Sequence, residues 1–201
     1  MATTRDESSL SGTTSERPRV AIFGGSFNPP HVAHVLAAVY VLSTEPIDTV
    51  VVVPVYKHPF SKELASFEDR LEMCRRAFSW IPRVVVSAVE RDLDGESLTL
   101  RTLEHLAVIH PDWAMRLLIG ADVVNDLPKW HRWDRIAEIA PPIIVGRAGV
   151  NAEGTPEAIL PRASSTEVRD ALAQGDRVRV EKLVPRDVLS LIEERGLYRR
   201  S

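Results

Sequence analysis

"VAIFGGSFNPPHVAH", residues 20–34, runs four apolar residues straight into Gly24 and Gly25, then sets two consecutive prolines before two histidines three positions apart. A short apolar run closed by glycines reads as a buried strand entering a tight turn, and the pattern that follows reads as a helix beginning near His31. The same alternation continues outward. TVVVVPV at 49–55, RVVVSAV at 83–89, MRLLIG at 115–120 and PIIVG at 142–146 read as strands. Helical spacing is expected over 32–42, 67–80, 98–109 and 166–174, and over 186–195, with Gly175 and Gly196 as stops and a shorter stretch at 127–140 broken at Pro128. Ser66, followed three residues later by Asp69, predicts a capped start for the second helix. Nearly continuous apolar strands alternating with helices belong to a parallel sheet covered on both faces. The expected fold is α/β: a Rossmann-like, doubly wound parallel sheet of about five strands with a small helical C-terminal part at about 163–201. The segment 147–162, with two glycines and two prolines, reads as an irregular link.

The 201 residues suit one domain, expected over 18–201, preceded by a Ser/Thr-rich, aperiodic tail at 1–17 that reads as disordered. Hydrophobic residues at 44% and charged residues at 26% are ordinary globular usage. A net charge of −3 argues against nucleic acid or an anionic membrane as a partner, so any anion must be held locally. The lone Cys74 allows no internal disulfide and no cysteine-based zinc site. With no signal-like or membrane-spanning apolar run, a reducing cytoplasm is the expected location. Homo-oligomerisation is left open by composition.

The opening stretch also suggests chemistry. In open α/β sheets ligands bind beyond the carboxyl ends of the strands, where Gly24 and Gly25 fall and a helix N-terminus points. Glycine lets backbone approach a phosphate, and the helix terminus adds partial positive charge. Pro29 and Pro30 suit the turn and the first helical position. His31 and His34 share one face of the first turn, within reach of one phosphate chain. Two histidines without a nearby third ligand make a poor zinc site. Far along the chain, SSTEVR at 164–169 offers Ser164 as a helix cap with Glu167 at its third position, and Arg169 one turn in.

GGSFNPPHVAH resembles the GxFxPxHxGH signature of the nucleotidyltransferase superfamily that shares a histidine motif with class I aminoacyl-tRNA synthetases. SSTEVR resembles its second signature, (I)SSTxxR, in the same order and about 130 residues on. Between them, GESLTLRTLEHL at 95–106 is similar to the G-x-SYT-x-x-TL stretch of bacterial nicotinate mononucleotide adenylyltransferases. LLIGADVVNDLPKWHRWDRI at 117–136 is similar to their IGxD…LPxWxxW segment, and the ending LVPRDVLSLIEERGLYRR also fits. The resemblance covers about residues 19–200. Departures are Ala33, Leu98 and Ala163 where the patterns have glycine, tyrosine and isoleucine, and VPVYKHPFSK where a PPHK-like loop is usual.

The resemblance implies transfer of AMP from ATP to nicotinate mononucleotide, with deamido-NAD and pyrophosphate as products. It assigns His31, His34 and Arg169 to catalysis at the triphosphate, with Gly24, Gly25, Ser26, Phe27, Ser164, Ser165 and Thr166 around the phosphates. Gly120 and Asp122 would hold nucleotide at the sheet edge. Thr99 would lie near the nicotinate carboxylate and Trp130 would stack on its ring. Lys57, with His58 and Lys62 as alternatives, would replace the missing basic loop. Magnesium would ride on the triphosphate without protein ligands. Arg70, His105, His110 and His131 read as structural or surface groups. Nicotinamide mononucleotide or phosphopantetheine as acceptor, or a non-catalytic nucleotide-binding module, remain alternatives.

Overall fold

The computed structural model describes residues 17–57, 64–93, 98–149 and 156–199. Among these, β1 (Arg19–Gly25), β2 (Thr49–Pro54), β3 (Val84–Val86), β4 (Ala114–Gly120) and β5 (Pro142–Val145) form one sheet in the order β3-β2-β1-β4-β5. Every pairing is parallel. The strand order therefore reverses at the β1–β4 boundary, opening a crevice at the carboxyl ends of these two strands.

Alternation along the strands explains the two layers. Ala21, Phe23, Val50 and Val52 enter one core with α1 (Val32–Thr44), α2 (Phe67–Phe78) and the later helices. Val20, Ile22, Val51 and Val53 enter the other, against Leu100, Leu103 and Leu106 of α4 (Thr99–Ile109). Successive strand side chains point to opposite faces, so strands buried on both must be apolar throughout. The expected doubly wound α/β fold is the observed one.

Several local expectations change. The third strand stops at Val86, and Val89–Asp92 turns into a short helix, α3. The helical stretch placed at 127–140 begins earlier, as a 3₁₀ helix over Ala121–Lys129 with Pro128 inside it, and resumes as α5 (Trp133–Ile139). Arg132, in the left-handed region at φ 54°, makes the break. Trp130 and Trp133 thus sit on two elements rather than one helix face. Pro30 precedes the N-cap, His31, instead of opening α1. The C-terminal part contains α6 (Ser165–Gln174), α7 (Arg177–Leu183) and α8 (Arg186–Arg195). RVRVEKL of α7 alternates like a strand, yet Asp176 caps it as a helix by accepting from the Arg179 N–H at 3.1 Å. The predicted caps of α2 and α6 are present: Ser66 accepts from the Asp69 N–H at 3.0 Å, and Ser164 from the Glu167 N–H at 3.1 Å. Gly175 and Gly196 close their helices in the left-handed conformation.

Candidate active site

A cavity of about 750 Å³ occupies the crevice. Its walls include Gly24, Gly25, Ser26 and Phe27 from the end of β1 and its turn, Gly120 and Asp122 beyond β4, and Ser164, Ser165, Thr166 and Arg169 from the start of α6. His31, His34, Thr99 and Trp130 also line it. Residues named from distant parts of the sequence are thus brought to one place.

The loop between β1 and α1 is held tightly. Phe27 adopts φ 44°, an uncommon conformation for a bulky residue, and is 1% exposed. Its ring packs edge-on to Phe23 and Phe78 and tilted against His34, at 5.5, 6.2 and 4.9 Å between centroids. A Cβ on Gly25 would stand 3.2 Å from that ring, whereas one on Gly24 would meet open space. Gly25 accommodates the packing; Gly24 leaves the cavity floor clear.

Arg70 is the buried anchor of this loop, 1% exposed. Its guanidinium donates to the carbonyls of Ser26, Val55, Ala65 and Tyr56 at 3.0, 2.7, 3.0 and 3.4 Å. Of the structural or surface readings that the sequence left open for Arg70, the structure shows the structural one, in the interior. Asn28 is a second junction: its side-chain oxygen accepts from the Ala65 N–H and the Tyr198 hydroxyl, and its carbonyl accepts from Arg169 Nη1 at 2.7 Å. With Ser165 Oγ donating to the Pro29 carbonyl at 2.9 Å, these contacts join the N-termini of α1 and α6.

The two imidazoles stack, centroids 3.7 Å apart and planes 24° from parallel. His34 Nδ1 accepts the His31 backbone N–H at 3.1 Å, which leaves the hydrogen of a neutral His34 on Nε2. Burial, followed by the charge of Arg147, pulls His31 down to about 3. Burial, then His31, then Arg147 hold His34 well below its ordinary value. Both rings are therefore neutral at pH 7. His31 Nδ1 is buried and has no hydrogen-bond partner among the described residues.

Arg147, which sequence reading passed over as loop, lies just past β5 and lines the cavity. It pairs with Asp122 at 2.9 Å and donates to the Ala163 carbonyl. Only its position after an apolar strand end, GR at 146–147, offered a signal. Trp130 meets Trp133 edge-on at 6.0 Å, leaving Trp130 on the cavity wall. Lys57 is not among the lining residues; its ammonium lies 5.5 Å from the Tyr56 ring centroid. His58 and Lys62 fall outside the described residues. Among the described residues the lining carboxylates are Glu90 and Asp122, which already have protein donors, and no cluster of three His, Cys, Asp or Glu could hold a metal. No helix among them is long and apolar enough to cross a membrane.

Comparison with known proteins gives the family. Residues 22–171 match the family model described as cytidylyltransferase-like. A probable nicotinate-nucleotide adenylyltransferase of Anaeromyxobacter sp. (strain K) is 50% identical over 184 residues, covering 90% of this chain and 96% of the relative. That of Myxococcus xanthus is 38% identical over 184 residues, covering 90% and 94%. In fold, the chain resembles Plasmodium falciparum nicotinic acid mononucleotide adenylyltransferase complexed with NaAD, with a TM-score of 0.76 at 19% identity over 90% of this chain and 97% of that one. By its family model and its sequence relatives, the chain belongs to the cytidylyltransferase-like nucleotidyltransferases, in the nicotinate-nucleotide adenylyltransferase family.

Proposed function

We propose that the protein transfers AMP from ATP to nicotinate mononucleotide, releasing pyrophosphate and forming deamido-NAD, as a step of NAD biosynthesis in the cytoplasm. The observation that carries the reading is the meeting of two helix N-termini over a neutral histidine pair, in one cavity that also holds Thr99 and Trp130.

The acceptor phosphate has a second pKa near about 6 and is mostly dianionic at neutral pH, so its oxygen needs no general base. It attacks the α-phosphorus of ATP while the bond from that phosphorus to the bridging oxygen of pyrophosphate breaks. Positioning and charge stabilisation carry catalysis. His34, as a neutral donor through Nε2, His31, and the α1 terminus would take the phosphoryl oxygens, and Arg169 with the α6 terminus the departing pyrophosphate. Ser26, Ser164, Ser165 and Thr166 would line the triphosphate path, with Gly24 leaving room for it. Gly120, Asp122 and Arg147 would border the adenosine end. Trp130 would stack on the pyridine ring and Thr99 lie beside its carboxylate. With Glu90 and Asp122, the lining carboxylates among the described residues, already paired, magnesium would accompany the triphosphate and would supply charge to the leaving group.

Magnesium-dependent pyrophosphate release from ATP, measured in parallel with nicotinate mononucleotide, nicotinamide mononucleotide and phosphopantetheine, tests the reading. Preference for the nicotinate acceptor is expected. Preference for another would keep the phosphate chemistry and overturn the roles of Thr99 and Trp130; ATP binding without pyrophosphate release from any acceptor would identify a binding module.

A further inference from the structure

Glu90 is 7% exposed, lines the cavity and has no part in the phosphate chemistry. A carboxylate this buried is costly unless its oxygens are taken up by donors. Both are. Oε2 accepts the Tyr56 backbone N–H at 2.9 Å, and Oε1 accepts the Thr102 hydroxyl at 3.0 Å. Tyr56 follows β2, and Thr102 stands one helical turn beyond Thr99 on the same face of α4. Glu90 therefore straps the segment after β2 to the helix that presents Thr99, across 34 and 12 positions of sequence.

We infer that Glu90 is the positioning residue of the acceptor pocket: through Thr102 and Tyr56 it sets where the first turn of α4 stands, and so how tightly the nucleotide acceptor is held. The inference rests on the acceptor assignment made above. It acts through hydrogen bonds rather than through charge, which has a specific consequence. A glutamine at 90 keeps the strap, because its carbonyl accepts from Tyr56 while its amide donates to Thr102 Oγ1. The Thr102 hydroxyl then turns to the Leu98 carbonyl, already 3.3 Å away. Alanine loses both bonds, the one to the Tyr56 N–H and the one to the Thr102 hydroxyl.

The test is a steady-state comparison of parent, Glu90→Gln, Glu90→Ala and Thr102→Val with nicotinate mononucleotide and ATP varied separately, with amide hydrogen exchange at Tyr56 as a second readout. Glu90→Ala is expected to raise the acceptor KM about tenfold or more, the scale of losing hydrogen bonds to a charged group, while the KM for ATP stays within about twofold. Glu90→Gln should retain near-parental constants. Thr102→Val should raise the acceptor KM while keeping the Tyr56 amide protected. Equal increases in both KM values, an unchanged acceptor KM in folded Glu90→Ala, or a glutamine variant as impaired as the alanine one would overturn the strap. If the alanine variant does not fold, the Gln and Val variants decide in the same way. A parent protein inactive with nicotinate mononucleotide would defeat the function proposed above instead, and the strap would still stand or fall on whether Glu90→Ala releases the Tyr56 amide.

Discussion

His31 and His34 lie ring upon ring, 3.7 Å between centroids, and the backbone N–H of the first is captured by Nδ1 of the second at 3.1 Å. The contact sets the tautomer of His34, and burial, followed by the neighbouring His31 and Arg147, keeps its remaining N–H a donor without a positive charge. Replacing His34 by alanine is expected to lower kcat by roughly 10²–10³-fold, the loss of one preorganised donor, with the fold retained. An unchanged kcat in pyrophosphate-release assays would remove His34 from the mechanism.

His31 makes stability depend on pH. Its folded value of about 3 lies below the ordinary 6.5, so the unfolded chain takes up a proton that the folded chain refuses. The contribution is complete above pH 6.5 and is lost as the pH falls from 6.5 toward 3, at up to about 1.4 kcal/mol per pH unit. Between pH 7 and pH 5 the parent should therefore lose about 2 kcal/mol more unfolding free energy than His31→Gln, as read from denaturant melts. Parallel pH profiles would show that burial does not hold the ring neutral.

Trp130 gives a forecast that separates its two readings. If the indole stacks on the acceptor ring, Trp130→Ala raises the acceptor KM by about tenfold and leaves the KM for ATP nearly unchanged. Comparable losses for both substrates would make the tryptophan a wall of the fold, buttressed by Trp133.

Gly24 is open where Gly25 is packed. Gly24→Ala should leave the melting temperature unaltered or slightly raised, since its Cβ meets open space, yet weaken ATP binding by about tenfold as the methyl intrudes on the triphosphate path. Gly25→Ala should instead destabilise the protein through the Phe27 ring. Thermal melts with and without ATP distinguish the two.

Arg70 tests how the loop is held. Arg70→Met removes the donor from carbonyls of Ser26, Val55, Ala65 and Tyr56, and a cost of about 3 kcal/mol or more is expected in denaturant unfolding. A change within about 0.5 kcal/mol, as for an ordinary surface position, would show that solvent replaces these bonds.

The amino-acid sequence determined the layers, because apolar runs such as 20–23 and 49–53 can be accommodated only with both faces covered, and glycine and serine mark where chains turn and helices cap. It also determined the groups at 24–34 and 164–169 that come to line the cavity, whose residue types and spacing are local properties. What it left undecided depends on neighbours distant in the chain. The irregular 3₁₀ path that parts Trp130 from Trp133 and the helical state of the alternating RVRV at 177–180 are settled by packing rather than propensity. So are the interior places of Arg70 and Glu90 and the half-buried, cavity-lining place of Arg147, charged residues whose positions a linear reading leaves open. Each becomes tolerable only when the fold brings carbonyls, a carboxylate or a pair of donors to meet its charge. For that reason the tertiary structure alone decided that the histidines are neutral, that Arg147 faces the cavity, and that Glu90 ties its two walls together.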